Sequence, residues 1–409
     1  MKNAAPKAIA VQQVIDDVMR RDRGRLLAGL IARLGDFSLA EDALQEASIS
    51  ALKHWGRVGV PDNPVAWLMK AGLNKGIDHI RKSQRAEDRE QRLGILTDHS
   101  AVGPAPDTFS DDRLRLIFTC CHPALEQKSR VALTLRSICQ LTTREVAAAF
   151  LDSESAMGQR ISRAKAQIKS KGIAYQVPEA DGWPARLSTV LATLYLIFTT
   201  GYVNEDDSQR DLCQEGIFLA RLLRQLQPGD PEIEGTLALF LLTESRRSAR
   251  IGADGAQVPV GAQDPTLWRA DMITEAQQLL QDAMARGTPG PFQMKAAIAD
   301  CHMMRPGPDW AQMALLYQTL WRYEPTPVVA LNWAVTLAES GAPEWALEKV
   351  EGLQGDLSEF QPFHAACGRI LAQLGRFDEA RAAYQQAIAG APHRAARLFL
   401  EAAVRDLPG

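Results

Sequence analysis

The sequence predicts an all-α protein, and three observations predict it. Apolar residues recur at three- and four-residue intervals along nearly the whole chain. Runs that alternate apolar and polar residues are scarce, and clusters of β-branched residues are short. Joints rich in Gly, Pro and Asp interrupt the periodic stretches near 94–112 and 172–184. A chain of 409 residues has room for two or three domains. The joints divide it into a first part at 10–92, a linker at 93–110, a second part at 111–173 and a third part at 185–409.

In the first part, Leu26, Leu27, Leu30, Ile31 and Leu34 form one apolar stripe. In the next stretch, 34–55, Leu39, Ala43, Leu44, Ala47 and Leu52 are expected to pack inward, while Glu41, Asp42, Gln45 and Glu46 point outward. An outward cluster of carboxylates is, as a rule, a solvated face. A third helix is expected from Pro64, with Asp62 or Asn63 as its cap. Trp67, Leu68, Ala71, Ile77 and Ile80 make its apolar face; Lys70, Asn74, Lys75, Arg81, Lys82 and Arg85 make a basic one. Trp55 and Trp67 have the shape to stack on bases, although core packing is the commoner role for such residues.

The second part carries the sharpest signal, LTTREVAAAFLDSESAMGQRISRAKAQIKSK at 141–171. Thr142 or Thr143 can cap a short helix, and Glu145 supplies the acid of a capping box. Val146, Ala147 and Phe150 are its expected buried face. A turn follows, with Ser153 or Ser155 capping the next helix. That helix buries Met157, Ile161, Ala164 and Ile168 and carries Arg160, Arg163, Lys165, Lys169 and Lys171 elsewhere, opposed within the stretch by Glu154. A short helix, a tight turn and a basic helix with a polar N-terminal half describe a helix-turn-helix, whose second helix enters the major groove.

The third part contains a weak repeat. LGRFDEARAAYQQAIAGAP at 374–392 matches the second half of a tetratricopeptide unit, with Gly375, Ala380, Tyr384, Ala387 and Pro392 in register and Gly368 in the preceding helix. Gly341 and Ala346 stand 34 residues before Gly375 and Ala380. Small residues let paired helices approach, and stacking buries faces that one repeat cannot hide. Residues 250–267 read as a long polar loop.

Net charge is −3, but it is unevenly spread: residues 1–175 carry 27 Lys and Arg against 20 Asp and Glu, and the remainder carries −10. Such a distribution points to a polyanion partner for the front of the chain alone. The six cysteines include no C-x-x-C pair, which argues against a disulfide framework and a tetrahedral zinc site. Adjacent residues on a helix diverge by about 100°, so Cys120, Cys121 and His122 converge poorly on one metal. Neither a phosphate loop, a nucleophile elbow nor an H-E-x-x-H motif occurs. No enzyme activity, catalytic residue, cofactor or metal is expected. The N-terminus lacks an apolar signal core and no apolar run is long enough to span a membrane, so a cytoplasmic protein is expected.

Two stretches resemble a known family. Gln159, Arg160, Ile161, Arg163, Ala164 and Lys165 fall on the register of region 4 of the extracytoplasmic-function (ECF) sigma factors, where Lys-Ser-Arg-Leu-x-Arg-Ala-Arg follows a Gly-Thr-Val turn. Here Ser155, Ala156 and Met157 replace that turn, and Gly158 replaces a basic residue. LGDFSLAEDALQEASISALKHW at 34–55 is similar to the family's polymerase-binding helix in region 2, with Ala47 and Ser48 where an aromatic is usual. The resemblance covers roughly residues 10–175. It extends to a subgroup with a long helical C-terminal domain through DDRLRLIFTCCHPAL (111–125) and LATLYLIFTTGY (191–202).

The resemblance implies two partners, core RNA polymerase and promoter DNA. It implies polymerase docking by Glu41, Asp42, Gln45 and Glu46. It implies capture of the −10 element as a single strand by the loop at 56–63 and by Asn63, Lys70, Asn74, Lys75, Arg81 and Lys82. For the −35 element it implies base contacts from Gln159, Ser162 and Arg163 and backbone contacts from Arg160, Lys165 and Lys169. The C-terminal domain would then be regulatory, with a protein or ligand partner of its own. A helix-turn-helix regulator that acts without polymerase, or a repeat scaffold, is the alternative. The first would need neither an acidic docking helix nor a second basic helix.

Overall fold

A computed structural model describes residues 4–91, 109–139, 141–150, 152–203, 211–304, 307–391 and 393–408. For 4–10, 20–21, 83–91 and 109–111 it describes the backbone alone. Most of the expected linker, 93–108, and Pro392 lie outside the described residues. The described residues are mostly helical, and among them the one β feature is an isolated bridge between Ile251 and Gln257. Two compact units divide the chain, Met1–Leu226 and Gln227–Gly409.

The first unit contains α1 (Ala4–Leu34), α2 (Phe37–Val58), α3 (Pro64–Gln91), α4 (Phe109–Cys120), α5 (Gln127–Ser137), α6 (Thr143–Ala149), α7 (Glu154–Ser170), α8 (Trp183–Val203) and α9 (Leu212–Leu226). Helices α1, α2 and α3 pack on one another. Leu26, Leu27, Leu30 and Ile31 are buried, as their spacing requires. On α2 the buried face is Phe37, Ala40, Ala43, Leu44, Ala47, Ala51 and Trp55. Leu52, expected inside, is 37% exposed. It follows Ala51 by one residue and so points about 100° off that face. Gly72 and Gly76, one turn apart on α3, are what bring α1 close. A Cβ at Gly72 would stand 3.0 Å from Leu30 Cδ1, and one at Gly76 would press into the Leu34 side chain.

Helices α8 and α9 belong to this first unit. Trp183 and Phe118 lie 5.0 Å apart at their ring centroids, and Arg186 donates to the Phe118 carbonyl at 2.7 Å. Helix α8 packs on both α4 and α5, and α9 packs on α8 and α4. The first unit therefore runs past the joint at 172–184 and the expected boundary at 185, ending at Leu226.

The second unit contains α10 (Pro231–Glu244), α11 (Ala270–Ala285), α12 (Pro291–Cys301), α13 (Trp310–Tyr323), α14 (Pro327–Glu339), α15 (Pro343–Glu351), α16 (Gln354–Leu357), α17 (Gln361–Gln373), α18 (Phe377–Ala389) and α19 (Arg394–Arg405). The carboxylate of Glu232 accepts from Phe292 N and Gln293 N at 3.0 and 3.1 Å, capping α12 from a neighbouring helix. Helices α17 and α18 form the paired unit read from the sequence. Gly368 lies under the Tyr384 ring, where a Cβ would come within 2.8 Å. Gly341 and Gly375 both turn the chain at positive φ, +98° and +73°, between the helices of successive pairs. Arg369 and Gln373 on α17 reach back to Glu339 on α14, tying one pair to the next. The segment 250–267 holds two short 3-10 turns, Val260–Ala262 and Pro265–Leu267, with the bridge between them and α10.

Candidate polymerase and nucleic-acid interface

The helix-turn-helix is α6 and α7. Thr142 is the cap of α6: its hydroxyl accepts from Glu145 N at 3.1 Å, and the Glu145 carboxylate accepts from Thr142 N at 2.6 Å. Ser153 caps α7, accepting from Ala156 N at 3.2 Å. Val146 and Ala147 are buried, while Phe150 is half-buried at the C-cap. Met157, Ile161, Ala164 and Ile168 are all buried, so one stripe of α7 anchors it to the unit. Gln159, Ser162 and Arg163 are exposed together on a different stripe. Arg163 is held only lightly, by a 3.3 Å bond to Gln159 Oε1.

The other basic residues of α7 are paired with acids outside the helix, one from the turn before it and the rest from outside the motif. Arg160 reaches Glu126 at 3.2 Å and Asp152 at 3.4 Å. Lys165 is bonded to Glu41 and lies 5.4 Å from the centroid of the Phe37 ring. Lys169 donates to Asp36 at 2.7 Å. Asp36 is itself the N-cap of α2, accepting from Leu39 N at 3.0 Å. Partial burial pushes the Asp36 carboxyl up, but the bonds from Lys169 and Leu39 N outweigh it and hold the group below the usual carboxylate range. The same bond holds the Lys169 ammonium above its ordinary value. No local sequence signal announces these pairs, because Lys165 and Glu41 are 124 residues apart and Lys169 and Asp36 are 133.

On α2, Asp42 and Gln45 are exposed, and Glu41 and Glu46 are partly shielded. Glu41 also meets Arg23 at 3.5 Å, and Glu46 meets His79 at 2.7 Å and Lys75 at 3.7 Å. The bond from His79 lowers the Glu46 carboxyl, with Lys75 adding to the effect. Lys75 is thus tied to the acidic helix, whereas Lys70, Asn74, Arg81 and Lys82 are exposed. Asn63 is the cap of α3, accepting from Ala66 N at 3.0 Å. Trp55 is 1% exposed and belongs to the core. Trp67 is half-buried, edge-on to Trp55 at 5.4 Å and stacked on the exposed His54 at 5.6 Å. Cys120 and Cys121 pack at the end of α4 with no exposure, and burial raises both thiols.

Comparison with known proteins agrees with this architecture. Residues 9–86 match the family model of sigma-70 region 2, and residues 115–168 match that of sigma-70 region 4. Residues 186–284 match a family of unknown function. An uncharacterized protein of Rhizobium meliloti is 43% identical over 386 residues, covering 92% of this chain and 91% of that protein. A probable RNA polymerase sigma factor of Haemophilus influenzae is 22% identical over 179 residues, covering 40% of this chain and 92% of that protein. With the region 2 bundle and the region 4 helix-turn-helix in order ahead of a helical extension, the chain belongs to the sigma-70 family as an ECF-like sigma factor.

Proposed function

We propose that this sigma factor docks on core RNA polymerase through Glu41, Asp42, Gln45 and Glu46 of α2. The melted −10 strand then runs along Asn63, Lys70, Asn74, Lys75, Arg81 and Lys82 of α3. Gln159, Ser162 and Arg163 read base edges of the −35 duplex, and Arg160, Lys165 and Lys169 hold its backbone. The supporting observation is the division of α7 into a buried apolar stripe and an exposed polar one. A helix fixed on one side and bare on the other presents side chains to a groove at a set angle. No bond chemistry belongs to the chain; its contribution is binding energy that positions polymerase and traps an opened strand. We also propose that the acidic, repeat-built C-terminal part is regulatory and that the protein acts in the cytoplasm, where polymerase and DNA are. Among the described residues no helix is long and apolar enough to cross a membrane.

The test is transcription in vitro from a promoter library with core polymerase, alongside binding of the chain to core polymerase without DNA. Promoter-dependent transcripts and a stable complex are expected. A chain that binds duplex DNA but ignores polymerase would be a conventional regulator instead. If about six basic residues meet phosphates, the affinity of the assembled complex should fall with salt with a log–log slope near −5. A flat salt response would contradict the DNA assignment.

A further inference from the structure

We infer that the turn between α4 and α5 is an anion site, built from His122, Lys171 and Arg186, that takes a phosphomonoester. None of the three has a part in the polymerase and promoter contacts proposed above, so the site stands or falls apart from that reading. Three elements meet at the turn. Cys121 N donates to the Ile117 carbonyl and Leu125 N to that of His122, both at 2.9 Å, and the burial of Cys121 and Leu125 fixes the residues between them. The Ala124 carbonyl faces α7. It accepts from Gln167 Nε2 at 3.0 Å and from Nζ of Lys171, the C-cap of α7, at 3.4 Å. From α8, Arg186 donates Nη2 to the Phe118 carbonyl at 2.7 Å. All three side chains are thus anchored to one short stretch, 118–124.

These groups are donors in want of an acceptor. Ala124 N donates to His122 Nδ1 at 3.1 Å. Nδ1 is therefore the acceptor of the ring, and the neutral imidazole carries its proton on Nε2, the distal nitrogen. Lys171 and Arg186 keep further N–H donors once their carbonyl bonds are made. Among the described residues no carboxylate pairs with Arg130, Lys171 or Arg186, whereas Arg160, Lys165 and Lys169 of α7 each have at least one. Arg130 and Arg186 both act on the buried Cys121 thiol, and the Nε of each is buried with no hydrogen-bond acceptor among the described residues. Burial, Arg186 and Lys171 together hold the His122 ring below its ordinary value, and no acid opposes them. Shielded cations without a counter-charge are costly, and an anion relieves that cost.

The charge selects the ligand. Two fixed cations match a phosphomonoester, which carries about −1.5 to −2 at pH 7, and its three terminal oxygens can meet an ammonium, a guanidinium and an imidazole N–H together. A carboxylate or a phosphodiester brings a single charge. The turn lies along the stripe of α7 formed by Arg160, Gln167 and Lys171, not along that of Gln159, Ser162 and Arg163. A ligand here leaves the latter stripe bare. It would tie the α4–α5 turn and the C-cap of α7 to α8, the helix that begins beyond the joint at 172–184.

The test follows the His122 ring by NMR in the full chain labelled at histidine. His122→Asn assigns the signal, because its Oδ1 can still accept from Ala124 N. Methyl phosphate added at pH 7 and constant ionic strength should move the His122 signal saturably toward its protonated position. Lys171→Gln and Arg186→Gln should each weaken that binding about tenfold. Lys171→Gln should do so without loss of stability, because its side chain is exposed. Acetate and dimethyl phosphate, with one charge each, should leave the signal in place at the same concentration. Equal movement with acetate or chloride, or none with methyl phosphate, would leave only a solvated cationic patch and overturn the inference. Equal movement with dimethyl phosphate would assign the turn to a nucleic-acid backbone and overturn it as well.

Discussion

A chain ended after residue 180 should be far less stable than one ended after Leu226. The shorter chain loses α8, whose Leu187, Val190, Leu191, Leu194, Ile197 and Phe198 are buried. It also strips Trp183 from Phe118 and removes the guanidinium that satisfies the Phe118 carbonyl. Each large apolar side chain contributes roughly 1.5–3 kcal/mol on burial, and a domain has only about 5–15 kcal/mol of net stability. Loss of this helix should cut the unfolding free energy of the helix-turn-helix region by several kcal/mol, lowering its denaturation midpoint, or leave the protein insoluble. Equal midpoints for the two truncations would mean that α8 is no part of that core. The longer truncation is therefore the one that tests the regulatory proposal. If it transcribes like the full chain under every condition, residues 227–409 do not regulate.

Replacing Arg163 with alanine should weaken promoter binding by about 1–3 kcal/mol and relax the preferred sequence at one position of the −35 element. The same change should leave stability within about 0.5 kcal/mol. The guanidinium is exposed, and its one recorded bond is to a neighbour on its own helix turn. Binding measured on a set of duplexes varied at each position separates the outcomes. An equal loss on every duplex would mean that Arg163 touches a phosphate and reads no base. Lys165 offers a poorer test of base reading, because its removal also leaves Glu41 without one of its two cationic partners.

The helix-turn-helix was legible because every determinant is local. Thr142 and Glu145 are three residues apart, and Met157, Ile161, Ala164 and Ile168 keep helical spacing. The misjudged Leu52 shows the limit of that method: a hydrophobic residue one place off the periodic face still scores as apolar. Gly72 and Gly76 carried a readable signal, two glycines one turn apart in a helix, which marks a close helix crossing. The seam between regions 2 and 4 carried none. Within α7 Glu154 is the sole acid, yet Asp152 in the preceding turn and Glu126, Glu41 and Asp36 from elsewhere in the fold pair with its basic residues. The boundary at 185 followed a Pro- and Gly-bearing joint, and only contacts between α8 and the helices before it reveal that the core continues.

The glycine beneath the Tyr384 ring ties two positions into a shared volume. A methyl group gained on α17 must be matched by atoms given up on α18, so the two sites can drift only as a pair. Shuffling the repeats by exchanging single helices would break that match, whereas exchanging whole hairpins would carry it intact.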